Sequence, residues 1–439
     1  MSDYMFMLEN HLSAGQNRVV SEIQQAASHA NVNLFLTGGA VRDMLGGFPI
    51  RDLDFTVEGN ALKLAKVVAA KSGAKIVASD ELRRSVELLF PGGVTAGIAM
   101  ARNERYAKPG GQPSVSPATI HEDLRRRDLT MNAMALSLNR ASLGLLLDPT
   151  NGLADLEQRE LRAVYNRAFY DDPERILRLI RFRVRHGFTI EPRTQQQYEN
   201  ARLEQLEKHV GGRRLFQELA AIASEARPGE VLEALAQENL LGLFLPAAAA
   251  ARLDLSGFTK LQKARQTLGI GADFPLDNLA LFLYLLSENL SPKDRAALSR
   301  ATSMRKSEAD APAKLAASVK QLERVMKSPK IRKASQVYEV LHDAPGETVI
   351  LLYMNTGLRL VQDRVRNYFL KYLPASQEVT DRVVAAAGHE TGSAKFKRAK
   401  EELIRARLDA RPRKPAEPSA EPEAPVPPSP VPHRRGLPA

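Results

Sequence analysis

At residues 52–57 the chain reads DLDFTV, with Asp52, Asp54 and Thr56 interleaved between Leu53, Phe55 and Val57. A period of two predicts a strand whose apolar positions enter a core while Asp52 and Asp54 project together from the other face. Upstream, residues 5–30 read as a helix that leads into a strand at NLFLTGG. Downstream, NALKLAKVVAAKSG predicts a helix, AKIVAS and SVELLF short strands, and TAGIAMAR a weaker strand. Residues 107–118, AKPGGQPSVSPA, are rich in Pro, Gly and Ser and predict a mobile loop. IHEDLRRRDLTMNAMALSL then turns from helix to strand and ends at LLLDPTNGLADL.

From about residue 155 the periodicity becomes helical. DDPERILRLIRFRVRHG sends Ile176, Leu179, Ile180 and Phe182 inward, with arginines along the opposite side. RRLFQELAAIASEA, GEVLEALAQENLLGLFL and LDNLALFLYLLSENL continue the pattern. The expected fold class is α+β: an N-terminal head of mixed β-sheet with helices over 1–155, then all-helical regions over 156–270 and 271–410. Residues 415–439 hold nine prolines in 25 positions, so 411–439 is expected to be a disordered Pro-rich tail.

Composition narrows the chemistry. The 439 residues include no cysteine, which excludes disulfides, thiol catalysis and cysteine zinc sites. No signal peptide or membrane-spanning run is read, so the expectation is a soluble cytoplasmic protein with no membrane partner. The net charge of +11 points toward a polyanion. Residues 395–414 alone carry nine Lys/Arg against three Asp/Glu.

Asp52 and Asp54, a strand repeat apart, are costly to ionise together unless a cation sits between them. Magnesium is held by one or two carboxylates together with substrate phosphates. Gly38-Gly39, at a strand end leading into the helix AVRDML, lets backbone N–H groups approach a phosphate, with Arg42 one turn further on. Read together, these features predict a site for a nucleoside triphosphate and a metal ion.

GGAVRDMLGGFPIRDLDFTV resembles the first motif of the tRNA nucleotidyltransferase and poly(A) polymerase family, bacterial class II branch, within the DNA polymerase beta superfamily. RRRDLTMNAMA at 125–135, DPTNGLADL at 148–156 and DDPERILRLIRF at 171–182 resemble its next three motifs in order. GFTIEPRT and GGRRLFQEL resemble the helical neck that follows, so the likeness covers about residues 30–240. It implies a nucleotidyltransferase head followed by helical neck, body and tail. The implied activity is attack of an RNA 3′-hydroxyl on the α-phosphate of CTP or ATP, adding C and/or A to tRNA, with Mg2+ as cofactor.

By the same resemblance Asp52 and Asp54 are the metal ligands, Gly38 and Gly39 the phosphate turn, and Arg42 a nucleotide contact. Arg127, Asp128 and Asn132 match residues that hold ribose and triphosphate. Asp172 and Arg175, with Arg178 three further on, match the pair that reads the Watson–Crick edge of the incoming base. Asp171 stands where the family usually has Glu. The superfamily's third carboxylate would align with Gly97, taking Arg102 as the anchor. The preferred reading is that Asp52 and Asp54 work alone; substitution by another acid such as Glu87, or reduced or lost activity, stay open. A poly(A) polymerase and a non-catalytic RNA binder are the alternative functions. The eight histidines are scattered, and no His-Asp phosphohydrolase dyad is expected.

Overall fold

The computed structural model describes residues 3–271, 274–386 and 393–410. The tail expected to be disordered, 411–439, lies outside them. Two compact units form: Met1–Leu322 with Pro345–Asn355, and Glu323–Ala344 with Thr356–Ala439. Both expected boundaries, 155/156 and 270/271, lie inside the first unit.

The first unit opens with two helices, α1 (Asp3–His11) and α2 (Ala14–His29), where the sequence pattern suggests one. The break follows from Ser13, whose side chain accepts the Gln16 N–H while Gln16 reaches back to the Ser13 N–H. That reciprocal capping box starts a new helix even though the apolar period runs through it.

A seven-stranded sheet follows, in the order β3-β4-β5-β2-β1-β8-β9. Its strands are β1 (Asn33–Thr37), β2 (Leu53–Glu58), β3 (Lys75–Asp80), β4 (Ser85–Leu89), β5 (Thr95–Met100), β8 (Ala135–Ser137) and β9 (Leu146–Leu147). Only β2 and β5 pair in parallel, joined through α4 (Ala61–Ser72) and the β3–β4 hairpin. Leu53, Phe55, Val86, Leu88, Ala96 and Ile98 are buried on the sheet face that packs against α4. The opposite face of β2, β5 and β4 presents Asp54, Gly97 and Glu87 side by side.

The stretch expected to be a mobile loop is corrected in part. Ser114–Pro117 (β7) pairs antiparallel with Arg102–Arg105 (β6), leaving 106–113 as the connection. Polar strand residues such as these carry no periodic signal, and their pairing is fixed by partners across the hairpin. Next comes α5 (Ile120–Arg125), then a short 3-10 turn at Thr130–Asn132 and α6 (Gly152–Gln158). The remainder of the first unit is helical apart from the two-residue strands β10 (Glu160–Leu161) and β11 (Thr189–Ile190). Of the later helices, α7 (Ala168–Asp171), α8 (Glu174–His186), α9 (Pro192–Leu203) and α10 (Gly212–Ala223) follow the head in sequence, and α8 carries the arginines. Its Ile176, Leu179, Ile180 and Phe182 are all buried, as the period predicts.

The second unit packs Val379, Val384, Phe396 and Ala399 into a core of its own. Its C-terminal helix, Ala394–Asp409, is tied to neighbouring segments by Lys400–Asp381, Arg405–Glu339 and Arg407–Glu378 ion pairs.

Candidate active site

The site begins where β1 ends. Gly38 adopts φ 65°, ψ −124°, a conformation open to glycine and strained for other residues. A Cβ there would lie 3.0 Å from Arg127 Nη1. Thr37 Oγ1 bonds Thr56 Oγ1 at 3.0 Å and donates to the Asp54 carbonyl at 3.3 Å, which pins the glycine turn beside β2. Helix α3 (Gly39–Leu45) follows directly.

Asp54 projects from the open face of β2 while Leu53 and Phe55 are buried. Its carboxylate leans over Gly97, so that a Cβ on Gly97 would come within 2.9 Å of Asp54 Oδ1. Water reaches this side chain, yet protein surrounds it at longer range. That crowding first, and repulsion from Asp52 and Glu87 after it, outweighs Arg127 and Arg42 and pushes the carboxyl up to about 6. Neither Asp52 nor Asp54 has a side-chain hydrogen bond or ion pair.

Around this pair the basic residues are already engaged. Arg127 donates to Thr56 Oγ1 (3.2 Å), the Asn132 carbonyl (3.2 Å) and Asp123 Oδ2 (2.9 Å). Asp123 is buried, and although burial works against ionisation, Arg127 and Arg126 hold it below the usual carboxylate range. Arg42, also buried, donates to Asp43 and to Asn132 Oδ1 (2.7 Å) and lies over the Phe182 ring. Asn132 in turn donates to Asp128 Oδ1 at 3.2 Å. Arg178 grips Asp128 Oδ2 with two bonds of 2.6 and 2.8 Å. Against the cost of burial, Arg178 and Arg175 keep Asp128 ionised far below its ordinary range.

Asp172 and Arg175 sit at the start of α8. Arg175 donates to the Arg126 carbonyl (2.8 Å), the Arg127 carbonyl (3.4 Å) and the Tyr165 hydroxyl (3.0 Å), and its Nε lies 3.8 Å from Asp172 Oδ2. Arg214 takes Asp172 Oδ1 at 2.5 Å and also pairs with Glu174. Asp172 Oδ2 has no hydrogen-bond donor, so one acceptor edge stays open to a ligand.

The structure therefore places the eleven expected site residues along one run from the glycine turn to α8. Sequence reasoning does not single out Asp123, Arg126, Tyr165 or Arg214. Their partners stand 3 to 49 residues away, as in Arg126–Asp123 and Arg175–Arg126, and only the motif stretches RRRDLTMNAMA and GGRRLFQEL, which contain Arg126 and Arg214, carry a signal.

Asp52 and Asp54 offer hard carboxylate oxygens with no protein cation on them, a donor set suited to magnesium that keeps waters and takes substrate phosphates. Among the described residues, no group of three or more His, Cys, Asp or Glu side chains is placed to hold a metal ion. The chain does contain one adjacent His-Asp pair, His342–Asp343, in the second unit. There the His342 ring stacks on Tyr338 with centroids 4.8 Å apart.

Residues 34–162 match the family model described as the poly A polymerase head domain. The A-adding tRNA nucleotidyltransferase of Geobacter sulfurreducens is 31% identical over 245 residues, 56% of this chain and 28% of that protein. The CC-adding tRNA nucleotidyltransferase of Deinococcus radiodurans is 37% identical over 205 residues, 47% of this chain and 54% of that protein. The chain thus spans little more than half of these curated relatives at most. Among solved structures, the Thermotoga maritima CCA-adding enzyme complexed with tRNA is similar with a TM-score of 0.51 and 25% identity, covering 94% of this chain and 96% of that one. No helix among the described residues is long and apolar enough to cross a membrane.

Proposed function

We propose that this chain is a template-independent RNA nucleotidyltransferase of the cytoplasm that adds C and/or A to the 3′ end of tRNA. The carrying observation is the pair of unpartnered acids, Asp52 and Asp54, beside the Gly38 turn. Relatives named for A-adding and CC-adding, and a similar structure complexed with tRNA, favour tRNA as the substrate.

In this reading Asp52 and Asp54 hold Mg2+, which when bound stabilises charge on the attacking and leaving oxygens. The Gly38–Gly39 backbone receives the triphosphate, and Arg127 meets it from the far side of the turn. Arg42 and Asn132 act as positioning residues, because their side chains are spent on each other and on Asp43 and Asp128. The RNA 3′-oxygen forms a bond to the α-phosphorus, its proton passes to solvent, and the α–β bridging bond breaks to release pyrophosphate. Asp172 and Arg175 read the base: the carboxylate accepts, the guanidinium donates, and that combination suits cytosine and adenine.

The test is incubation of the purified protein with tRNA lacking its terminal nucleotides, Mg2+ and labelled CTP or ATP. Incorporation of either nucleotide is expected, and failure with both overturns the reading. Long A tracts on unrelated RNA would make it a poly(A) polymerase instead.

A further inference from the structure

Asp52 stands just outside the sheet. The strand registers of β2 begin at Leu53, so this acid closes the segment 46–52 that joins α3 to β2. A carboxylate that shares an ion with Asp54 has to be held within about 0.5 Å of its productive place. Side chains from elsewhere tie the segment down. The Ile50 carbonyl accepts Gln16 Nε2 of α2 at 3.1 Å, and the Phe48 ring meets His186 at the end of α8 with centroids 5.1 Å apart. Arg51, the residue directly before Asp52, reaches the turn after α10. There its Nη1 donates to the Ser224 carbonyl at 3.3 Å and to Glu225 Oε2 at 3.4 Å.

Glu225 is buried, and two arginines of α8 meet it as well. Its Oε1 accepts from Arg181 Nη1 at 3.1 Å, and its Oε2 lies 3.8 Å from Arg185 Nε. Helix α8 is also the element that starts beside Asp172 and carries Arg175. One carboxylate therefore grips both the base-reading helix and the residue in front of Asp52. The helix does not need Arg51 for its own anchorage, because Arg181 is bonded twice by Glu218 and Arg185 also meets Asp43. Stability does not ask for Arg51 either. Burial first, then Arg42 and Arg51, bring the Arg185 guanidinium down to about 10, so a further cation here adds repulsion. What Arg51 contributes is the tie itself.

We propose that Arg51 is a positioning residue whose bond to Glu225 fixes Asp52 relative to α8, so that the acid pair and the base-reading pair keep the spacing of one nucleotide. The inference rests on the nucleotidyl-transfer reading.

The experiment compares the full chain as wild type, Arg51→Ala, Arg51→Lys and Arg84→Ala, the last an exposed arginine of the β3–β4 turn. The Arg51 side chain is 40% exposed, and Arg51→Ala is expected to melt within about 2 °C of wild type. Mn2+ is titrated in the presence of CTP without RNA and followed by electron paramagnetic resonance. Arg51→Ala is expected to bind it about tenfold more weakly, Arg51→Lys to recover most of that loss, and Arg84→Ala to match wild type. In tRNA incorporation at saturating Mg2+, kcat of Arg51→Ala is expected to fall about tenfold while KM for CTP stays within about twofold. Mn2+ affinity of Arg51→Ala equal to wild type overturns the proposal. So does a melt lowered by more than about 5 °C that Arg51→Lys leaves uncorrected, which would make the tie a support of the fold. Wild type that binds Mn2+ and CTP yet transfers nothing fails the nucleotidyl-transfer reading, and the Mn2+ titration still judges Arg51.

Discussion

Arg175 shows what a single residue does in two roles. Its guanidinium satisfies two backbone carbonyls and a tyrosine hydroxyl in a buried setting, and it stands beside the open acceptor of Asp172. Arg175→Ala is therefore expected to relax discrimination of CTP and ATP against UTP and GTP by about tenfold or more. It should also cost about 2 kcal/mol of stability from stranded acceptors. Competing incorporation assays and urea denaturation measure the two effects, and unchanged base choice removes the reading role. Glu104 gives a pH-dependent case away from the chemistry. Burial favours its neutral form, but Arg126 and Arg102, at 3.4 and 2.8 Å, outweigh burial and bring the carboxyl down to about 2. A depressed acid stabilises the fold fully above its unfolded value near 4.5, and that contribution is lost as pH falls from there through about 2. Glu104→Gln should thus cost about 2–3 kcal/mol at pH 7, with the gap to wild type closing toward pH 2 in denaturation curves. Sequence alone shows none of this, because the partners of Glu104 are assembled by the β6–β7 hairpin and α5.

Elements were legible in the sequence where one period ran without interruption. The alternation at 53–57 gave both the strand and the face on which Asp54 stands, and α8 buried its expected apolar side. Helix α2 escaped because a capping box, not a change of period, starts it. The β6–β7 hairpin escaped because its strands are short and polar. Gly38 marks the case where one backbone conformation sets an element boundary and a site together. Gly38→Ala must strain a φ of 65° at ψ −124° and push against Arg127 Nη1. A loss of about 1–3 kcal/mol in stability is expected. Nucleotide affinity should fall as well, since Arg127 would leave its bonds to Thr56 and Asn132. Calorimetric titration with CTP and thermal melts of the same variant check both, and an alanine form that melts and binds like wild type refutes the strain.

Over the whole molecule the question is where the net charge of +11 acts. Sequence reading assigns much of it to 395–414, but three of those cations, Lys400, Arg405 and Arg407, are consumed by Asp381, Glu339 and Glu378 within the second unit. Lys395, Lys397 and Arg398 stand exposed on the same helix without an ion-pair partner. If the helix carries RNA phosphates, these three do so, because a cation already neutralised releases few counterions when RNA binds. Replacing all three with glutamine should weaken tRNA binding and flatten the plot of log affinity against log salt by about 2–3. Replacing Lys400, Arg405 and Arg407 should instead lower the stability of the second unit and leave the slope nearly unchanged. Filter binding between 50 and 200 mM salt distinguishes these outcomes. An unchanged slope in the first variant would mean that the helix serves the fold of its own unit and that tRNA is held by other cations.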